Sequence, residues 1–250
     1  MFFDIIASGS KGNATLVFSH NTIILIDMGI PLIKVKEELT KFNKDIKDID
    51  ALIVTHDHAD HYRELKSFSP KIQYALEGTL PGSLSNVVDL FEPFQIKDVK
   101  ITPFITSHDA SNPCGYILED DEEKLVYMTD TGRYISSNTK YVKNPDYLII
   151  ESNHDIRKLL LTNRPMALKE RIMSDYGHLC NEDSAFAALE IIGNKTKEIV
   201  LAHLSEEANT PELALEAYHK AFLYAHFDIN KYKVRCANQW VPLIGGHYED

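Results

Sequence analysis

Short apolar runs closed by polar or turn-forming residues recur along most of the chain, and their lengths favour strands over long helices. Runs over 2–7, 13–18 and 22–27 predict three successive strands. Pro31 then opens a segment with apolar positions at helical spacing, which predicts a helix over 31–43. A buried strand over 51–55 leads into a polar loop and a short helix over 60–67. Further strands are expected at 72–75, 86–90, 99–105, 114–119 and 124–129, the last two joined across the acidic stretch 119–123. That stretch lacks the Gly and spaced ligands of a calcium loop and reads as a solvated hairpin tip. A strand over 146–151, a helix over 182–192 ending at Gly193, a strand over 197–202 and a helix starting at Thr210-Pro211 complete the outline. Strands alternating with helices define an α/β protein whose sheets are covered by helices.

No Pro/Gly/Ser-rich linker, low-complexity tract or short repeat interrupts the 250 residues, so one domain over 1–250 is expected. The opening Met1-Phe2-Phe3-Asp4 has no basic leader region, and no apolar run approaches the roughly 18 residues of a membrane span. Cys114, Cys180 and Cys236 form no CxxC pair and leave one over in any disulfide scheme, which favours free thiols in a reducing compartment. A soluble cytoplasmic protein with no membrane partner is the expectation.

Residues 55–61 read Thr-His-Asp-His-Ala-Asp-His, directly after the apolar Ala51-Leu52-Ile53-Val54. Unpaired buried His and Asp are costly, whereas neutral imidazole nitrogens and carboxylate oxygens are the ligands that Zn²⁺ and related ions prefer. In extended backbone His56 and His58 project to one side, while Asp60 and His61 turn toward a second ion nearby. The spacing points to two metals. Four more polar residues follow apolar, β-prone runs at a distance: Asp27 after 22–26, His108 in Thr106-Ser107-His108-Asp109, Asp130 in Tyr127-Met128-Thr129-Asp130, and His203 in Leu201-Ala202-His203. Strand ends are where loops gather side chains into one cleft.

This HxHxDH run, with the four outlying residues in order, resembles the metallo-β-lactamase superfamily. The resemblance implies the αββα four-layer sandwich, two central sheets flanked by helices, as a single domain. It also implies that His56, His58 and His108 hold one divalent ion, that Asp60, His61 and His203 hold another, and that Asp130 bridges them. Asp27 is then read as orienting a ligand His or the loop. A site of His and Asp without thiolate admits Zn²⁺ or Mn²⁺, and Fe²⁺ as well.

Further motifs resemble the YycJ-type (WalJ) branch, related to the tRNA 3′-processing nucleases. These are Ala7-Ser8-Gly9-Ser10-Lys11-Gly12-Asn13, Ser107-His108-Asp109-Ala110 with Gly115-Tyr116, Glu151-Ser152-Asn153-His154-Asp155, and Gly177-His178-Leu179 with Asn181-Glu182. Cys180 departs from the expected Ser or Thr after Gly-His-Leu. By this resemblance the function is a dinuclear metal-dependent hydrolase of phosphodiesters, a 5′ to 3′ DNA exonuclease working through a metal-bridging hydroxide. Asp60 would serve as ligand and proton acceptor. His178, held protonated by Glu151, would protonate the leaving alkoxide.

Charge complicates a nucleic-acid substrate. A net charge of −11 and a pI near 5.4 lack the basic footprint of a protein gripping long duplex. Two bound cations would still contribute about +4 in the cleft, and salt screens remote carboxylates over roughly 8–10 Å. Lys11, Arg133, Arg157, Lys158, Arg164, Lys169 and Arg171 are candidates for a positive rim. The alternatives are a small-molecule hydrolase of cyclic phosphodiesters, thioesters or lactones on the same centre, and a metal-stabilised scaffold. The sequence leaves the oligomeric state open.

Overall fold

The computed structural model describes residues 1–80 and 86–247. Fourteen strands form two mixed sheets among the described residues. In chain order they are β1 (Phe2–Ala7), β2 (Ala14–Ser19), β3 (Thr22–Ile26), β4 (Ala51–Ile53), β5 (Gln73–Leu76), β6 (Asn86–Val88) and β7 (Phe94–Ile96). There follow β8 (Val99–Ile105), β9 (Cys114–Glu119), β10 (Lys124–Met128), β11 (Tyr147–Glu151), β12 (Glu198–Ala202), β13 (Lys233–Cys236) and β14 (Leu243–Gly246). The first sheet has the order β14-β1-β2-β3-β4-β5-β6, the second β13-β12-β11-β10-β9-β8-β7. The helices are α1 (Leu32–Lys41), α2 (Ala59–Tyr62), α3 (Thr139–Val142), α4 (Ile156–Leu161), α5 (Met166–Ile172), α6 (Asn181–Ile191) and α7 (Pro211–Tyr224).

The period of two along each strand divides the core into layers. Phe3 and Ile5 of β1 and Tyr147 and Ile149 of β11 meet between the sheets. Leu148 and Ile150 of β11 turn the other way, onto Ala185, Ala188 and Ile191 of α6 and Tyr218 of α7. Ile6, Leu16 and Leu25 of the first sheet pack on Val35 and Leu39 of α1. Both faces of each sheet are thus covered, which is why the inner strands read as continuous apolar runs rather than as alternation. The expected α/β, αββα sandwich is the observed fold.

Differences from the sequence reading fall where this logic weakens. The strand expected to reach residue 55 stops at Ile53, because the Thr55 amide turns to the Asp27 carboxylate (2.8 Å). Edge strands β7, β13 and β14 have three or four residues, mostly half-buried, so their patterns are too short to stand out. Helices α3, α4 and α5, of four to seven residues, went unseen for the same reason.

Candidate metal centre

Strands β3 and β4 run parallel, as do β10, β11 and β12, while β8 pairs antiparallel with β9 and β9 with β10. Within each sheet these carboxyl ends therefore open on one edge. The polar residue after β3, β10 and β12 sits in left-handed backbone: Asp27 at φ 61°, Asp130 at φ 53° and His203 at φ 55°. Such conformations cost energy for a non-Gly residue and cluster at functional sites. Here each turns a side chain back over its strand end instead of letting it continue outward.

The structure brings all seven expected ligands together. Ligand atoms of His56, His58 and His108 lie within 4.8 Å of one another, as do those of Asp60, His61 and His203, and those of His56, His61 and Asp130. His58 Nδ1 faces His108 Nε2 at 3.2 Å. Two nitrogens about 2.0–2.1 Å from one tetrahedral Zn²⁺ stand about 3.3–3.4 Å apart, so this spacing suits shared ligation. The Asp130 carboxylate lies between the groups, with Oδ2 3.4 Å from His61 Nε2 and Oδ1 3.8 Å from His108 Nε2. Buried His56 Nε2, Asp130 Oδ2 and His203 Nε2 have no hydrogen-bond partner among the described residues. Three unpartnered polar atoms in one cluster fit cation binding, since each would otherwise carry an uncompensated desolvation cost.

The opposite nitrogen of most rings is held by the protein. His61 Nδ1 donates to Asp27 Oδ2 (2.7 Å), and Asp27 also accepts from the Thr55 amide and hydroxyl. His108 Nδ1 donates to the Gly177 carbonyl (2.9 Å). Glu151 Oε1 accepts from both His178 Nδ1 (2.8 Å) and His203 Nδ1 (2.9 Å), while Oε2 accepts from the amides of Thr131 and Leu179. Glu151 belongs to a further cluster with Asp130, His178 and His203. Its oxygens are already saturated by four donors, so it orients imidazoles there rather than offering a lone pair.

Electrostatics follow from burial and these partners. Burial drives His56 well below the usual imidazole range, reinforced by the charge of His61, and burial lowers His108 as well. Burial opposes charge on His61 and His203 too, but Asp27 and Asp130 raise the former to about 9, and Asp130 and Glu151 raise the latter to about 10. Burial alone would raise Glu151, yet His178 and His203 carry it down to about 2. Asp130 is likewise held well below the carboxylate range by His203 and His61, against its burial. Without cations, protons on His61 and His203 balance the carboxylates, so metal uptake must displace protons.

Sequence reasoning missed several supports. Asn13 fixes the 8–13 turn, its Oδ1 accepting from the Gly9 amide (2.8 Å) and its Nδ2 lying 3.0 Å from His61 Nε2. Gln239 clamps the same turn, accepting from the Lys11 amide (3.0 Å) and donating to the Gly12 carbonyl (2.9 Å). Ser8 Oγ accepts from the His203 amide (2.8 Å). The Gln239 and Ser8 contacts join residues 195 to 228 positions apart, and the motif over 7–13 marked the turn without showing what holds it. His154 is buried with Nδ1 unpartnered among the described residues, and it joins none of the ligand groups.

The positive rim needs correction. The Lys169 ammonium is buried against the Leu160 and Thr162 carbonyls, and the Lys158 ammonium caps the Glu207 carbonyl. Lys11 pairs with Glu206, Arg164 with Glu207, Arg171 with Asp109 and Arg133 with Asp175. Four of the seven expected cations are therefore paired with carboxylates, and two more are turned to backbone carbonyls.

The family described as Beta-lactamase superfamily domain matches residues 22–204. The chain is 34% identical over 228 residues to exodeoxyribonuclease YycJ of Bacillus anthracis, covering 86% of each chain. It is 34% identical over 227 residues to exodeoxyribonuclease WalJ of Streptococcus pneumoniae, covering 85% of this chain and 84% of that one. Among solved structures, the metallo-β-lactamase fold protein YhfI of Bacillus subtilis superposes with a TM-score of 0.71 at 17% identity, covering 97% and 98%. The short form of human tRNase Z gives 0.64 at 16% identity, covering 97% and 98%. Strand ends that converge on a His/Asp cluster, a family match across most of the chain and two relatives at one-third identity agree: this chain belongs to the β-lactamase superfamily.

Proposed function

We propose that this protein is a dinuclear metal-dependent phosphodiesterase that degrades DNA exonucleolytically from the 5′ end, the chain acting as one domain over 1–250 in the cytoplasm. His56, His58 and His108 would hold one divalent ion, Asp60, His61 and His203 the other, and Asp130 would reach both; Zn²⁺ and Mn²⁺ suit these donors, and Fe²⁺ is admitted. When bound, such ions supply an activated water and neutralise charge on phosphoryl oxygens. No helix among the described residues is long and apolar enough to cross a membrane.

One observation carries the reading beyond a generic metal hydrolase. The His178 ring lies 5.0 Å from that of His108 and 5.3 Å from that of His203, with Nδ1 tied to Glu151 and the side chain 16% exposed. An imidazole so placed holds its Nδ1 proton on Glu151 and has Nε2 left to deliver a proton to a leaving oxygen. A DNA alkoxide is a poor leaving group and requires that proton. Asp60, 22% exposed beside His61, is the carboxylate placed to accept the proton of the attacking water. The exodeoxyribonuclease names of the two relatives support DNA as the substrate.

The paired rim cations favour, as a second reading, a small phosphodiester, thioester or lactone. Activity on end-labelled duplex, single-stranded DNA and RNA, with bis-p-nitrophenyl phosphate and a thioester alongside, in Mn²⁺ and Zn²⁺, separates the two. DNA should be shortened from the 5′ end by a protein holding about two divalent ions per chain, and Asp130→Ala should lose that activity. Thioester turnover alone would move the assignment to the small-molecule reading, and full activity in Asp130→Ala would end the dinuclear one.

A further inference from the structure

Tyr176 stands at the rim of the ligand cluster and is 61% exposed. The backbone beneath it is held at consecutive carbonyls by the loop carrying His108. Asp175 O accepts from Ser107 Oγ (2.7 Å), Tyr176 O from the Asp109 amide (3.0 Å), and Gly177 O from His108 Nδ1 (2.9 Å). The Tyr176 amide donates to Ser174 Oγ (3.3 Å), and the next amide but one, that of His178, to the Ile172 carbonyl (2.9 Å). A side chain on Gly177 would stand 2.2 Å from the Arg171 and Ile172 carbonyl oxygens, so the chain can pass here only as glycine. The segment cannot swing without moving His108 and His178.

The ring itself has no hydrogen-bond or ring partner among the described residues. Exposed aromatics such as Tyr224, at the end of α7, are ordinary on a surface. Tyr176 differs in that its backbone is fixed, by hydrogen bonds to a candidate metal ligand and its neighbours, at the edge of the ligand cluster. Beside it, Arg171 is tied to Asp109 (2.5 Å) and Arg133 faces Asp175 (3.8 Å). With each cation matched by a carboxylate, this rim has little net charge to draw a phosphate. What it presents is a π face.

We infer that Tyr176 is a stacking platform for the base of a nucleotide next to the scissile phosphate, with the Arg171–Asp109 pair as its wall. The inference rests on the nuclease reading above. Every base has a π face, so the subsite tolerates any sequence, and it contributes without the basic surface that this acidic chain lacks. With the backbone already fixed, only the two side-chain torsions of the tyrosine have to be ordered on binding.

The test compares the metal-loaded wild type with Tyr176→Ala and Tyr176→Trp on 5′-labelled DNA, and on the same DNA with a single abasic site stepped through the first nucleotides. Tyr176→Ala should raise KM about 5- to 150-fold, with kcat falling much less and metal content unchanged, and Tyr176→Trp should restore binding. At one abasic position the wild type should weaken to the level of Tyr176→Ala, which should lose nothing further there. A wild-type KM for Tyr176→Ala on intact DNA would overturn the platform alone, as would loss of metal or additive losses at every abasic position. Failure of the wild type on all DNA would overturn the nuclease reading and the platform together.

Discussion

Imidazoles in this cluster are used at both nitrogens, one held by an acceptor of the protein and the other turned inward. Asp27 fixes His61, the Gly177 carbonyl fixes His108, and Glu151 fixes His203 and His178. Those bonds fix which nitrogen keeps its proton and which is left for an ion. The ligand types were legible in the sequence because His and Asp immediately after apolar runs have no reason to be there as core. The sharing of Glu151 by His203 and His178 was not, since it joins three strand and loop ends that meet only in the folded chain. That sharing distinguishes two roles for His178. If it protonates the leaving oxygen, metal-loaded His178→Ala should lose roughly 10² to 10⁴ in turnover on DNA. Its turnover of bis-p-nitrophenyl phosphate, whose leaving group needs that proton little, should fall far less. Equal losses on both substrates, with metal and folding intact, would make His178 a positioning residue.

At the level of elements, the site depends on how closely β3 and the metal loop approach. The Met28 amide donates to the His61 carbonyl (2.6 Å), and the Gly29 amide to the Asn13 carbonyl (2.9 Å). A Cβ on Gly29 would stand 1.5 Å from the Asp60 carbonyl oxygen, so that backbone contact excludes any side chain. The positions of most strands and of the main helices along the chain were legible because buried runs and helix starts such as Thr210-Pro211 are strong local signals. Strands β13 and β14 were not, yet the residues between them supply Gln239, which clamps the 8–13 turn. Gly29→Ala must push Asp60 and His61 away from β3. We expect a loss of about 1–3 kcal/mol in the metal-free melt, the usual cost of overpacking. Metal affinity should fall on the order of tenfold, as when contacts that orient ligands are lost. Metal titration and thermal unfolding check both, and unaltered affinity would show that the loop adapts without the strand contact.

For the molecule as a whole, the sandwich keeps two ionisable systems apart, and they respond differently to pH. The metal cluster lies at the strand ends. Asp4, in the middle of β1, turns away from the inter-sheet core that holds Phe3 and Ile5, toward Glu38 of α1. Neither Asp4 oxygen has a donor among the described residues, while Glu38 is paired with Lys41 Nζ at 2.6–2.7 Å. With no donor of its own, a buried Asp4 carboxylate facing the Glu38 charge is disfavoured. Burial, then the charge of Glu38 and a hydrogen bond to it, raises Asp4 from 3.8 to about 7. The folded chain therefore keeps this proton up to about pH 7, whereas the unfolded chain releases it near 3.8. The stabilisation is present below the lower value and is lost as pH rises through the upper one, with a slope of at most ~1.4 kcal/mol per pH unit. Asp4→Asn has no proton to lose and nearly the same volume. Relative to the wild type it should be more stable at pH 8 by on the order of 2 kcal/mol and about equal at pH 4, within the spread of such linkage effects. Melts of both proteins at each pH, with the same metal content, cancel the separate titration of the imidazoles. A constant difference between the two from pH 4 to 8 would show that Asp4 titrates normally in the folded chain.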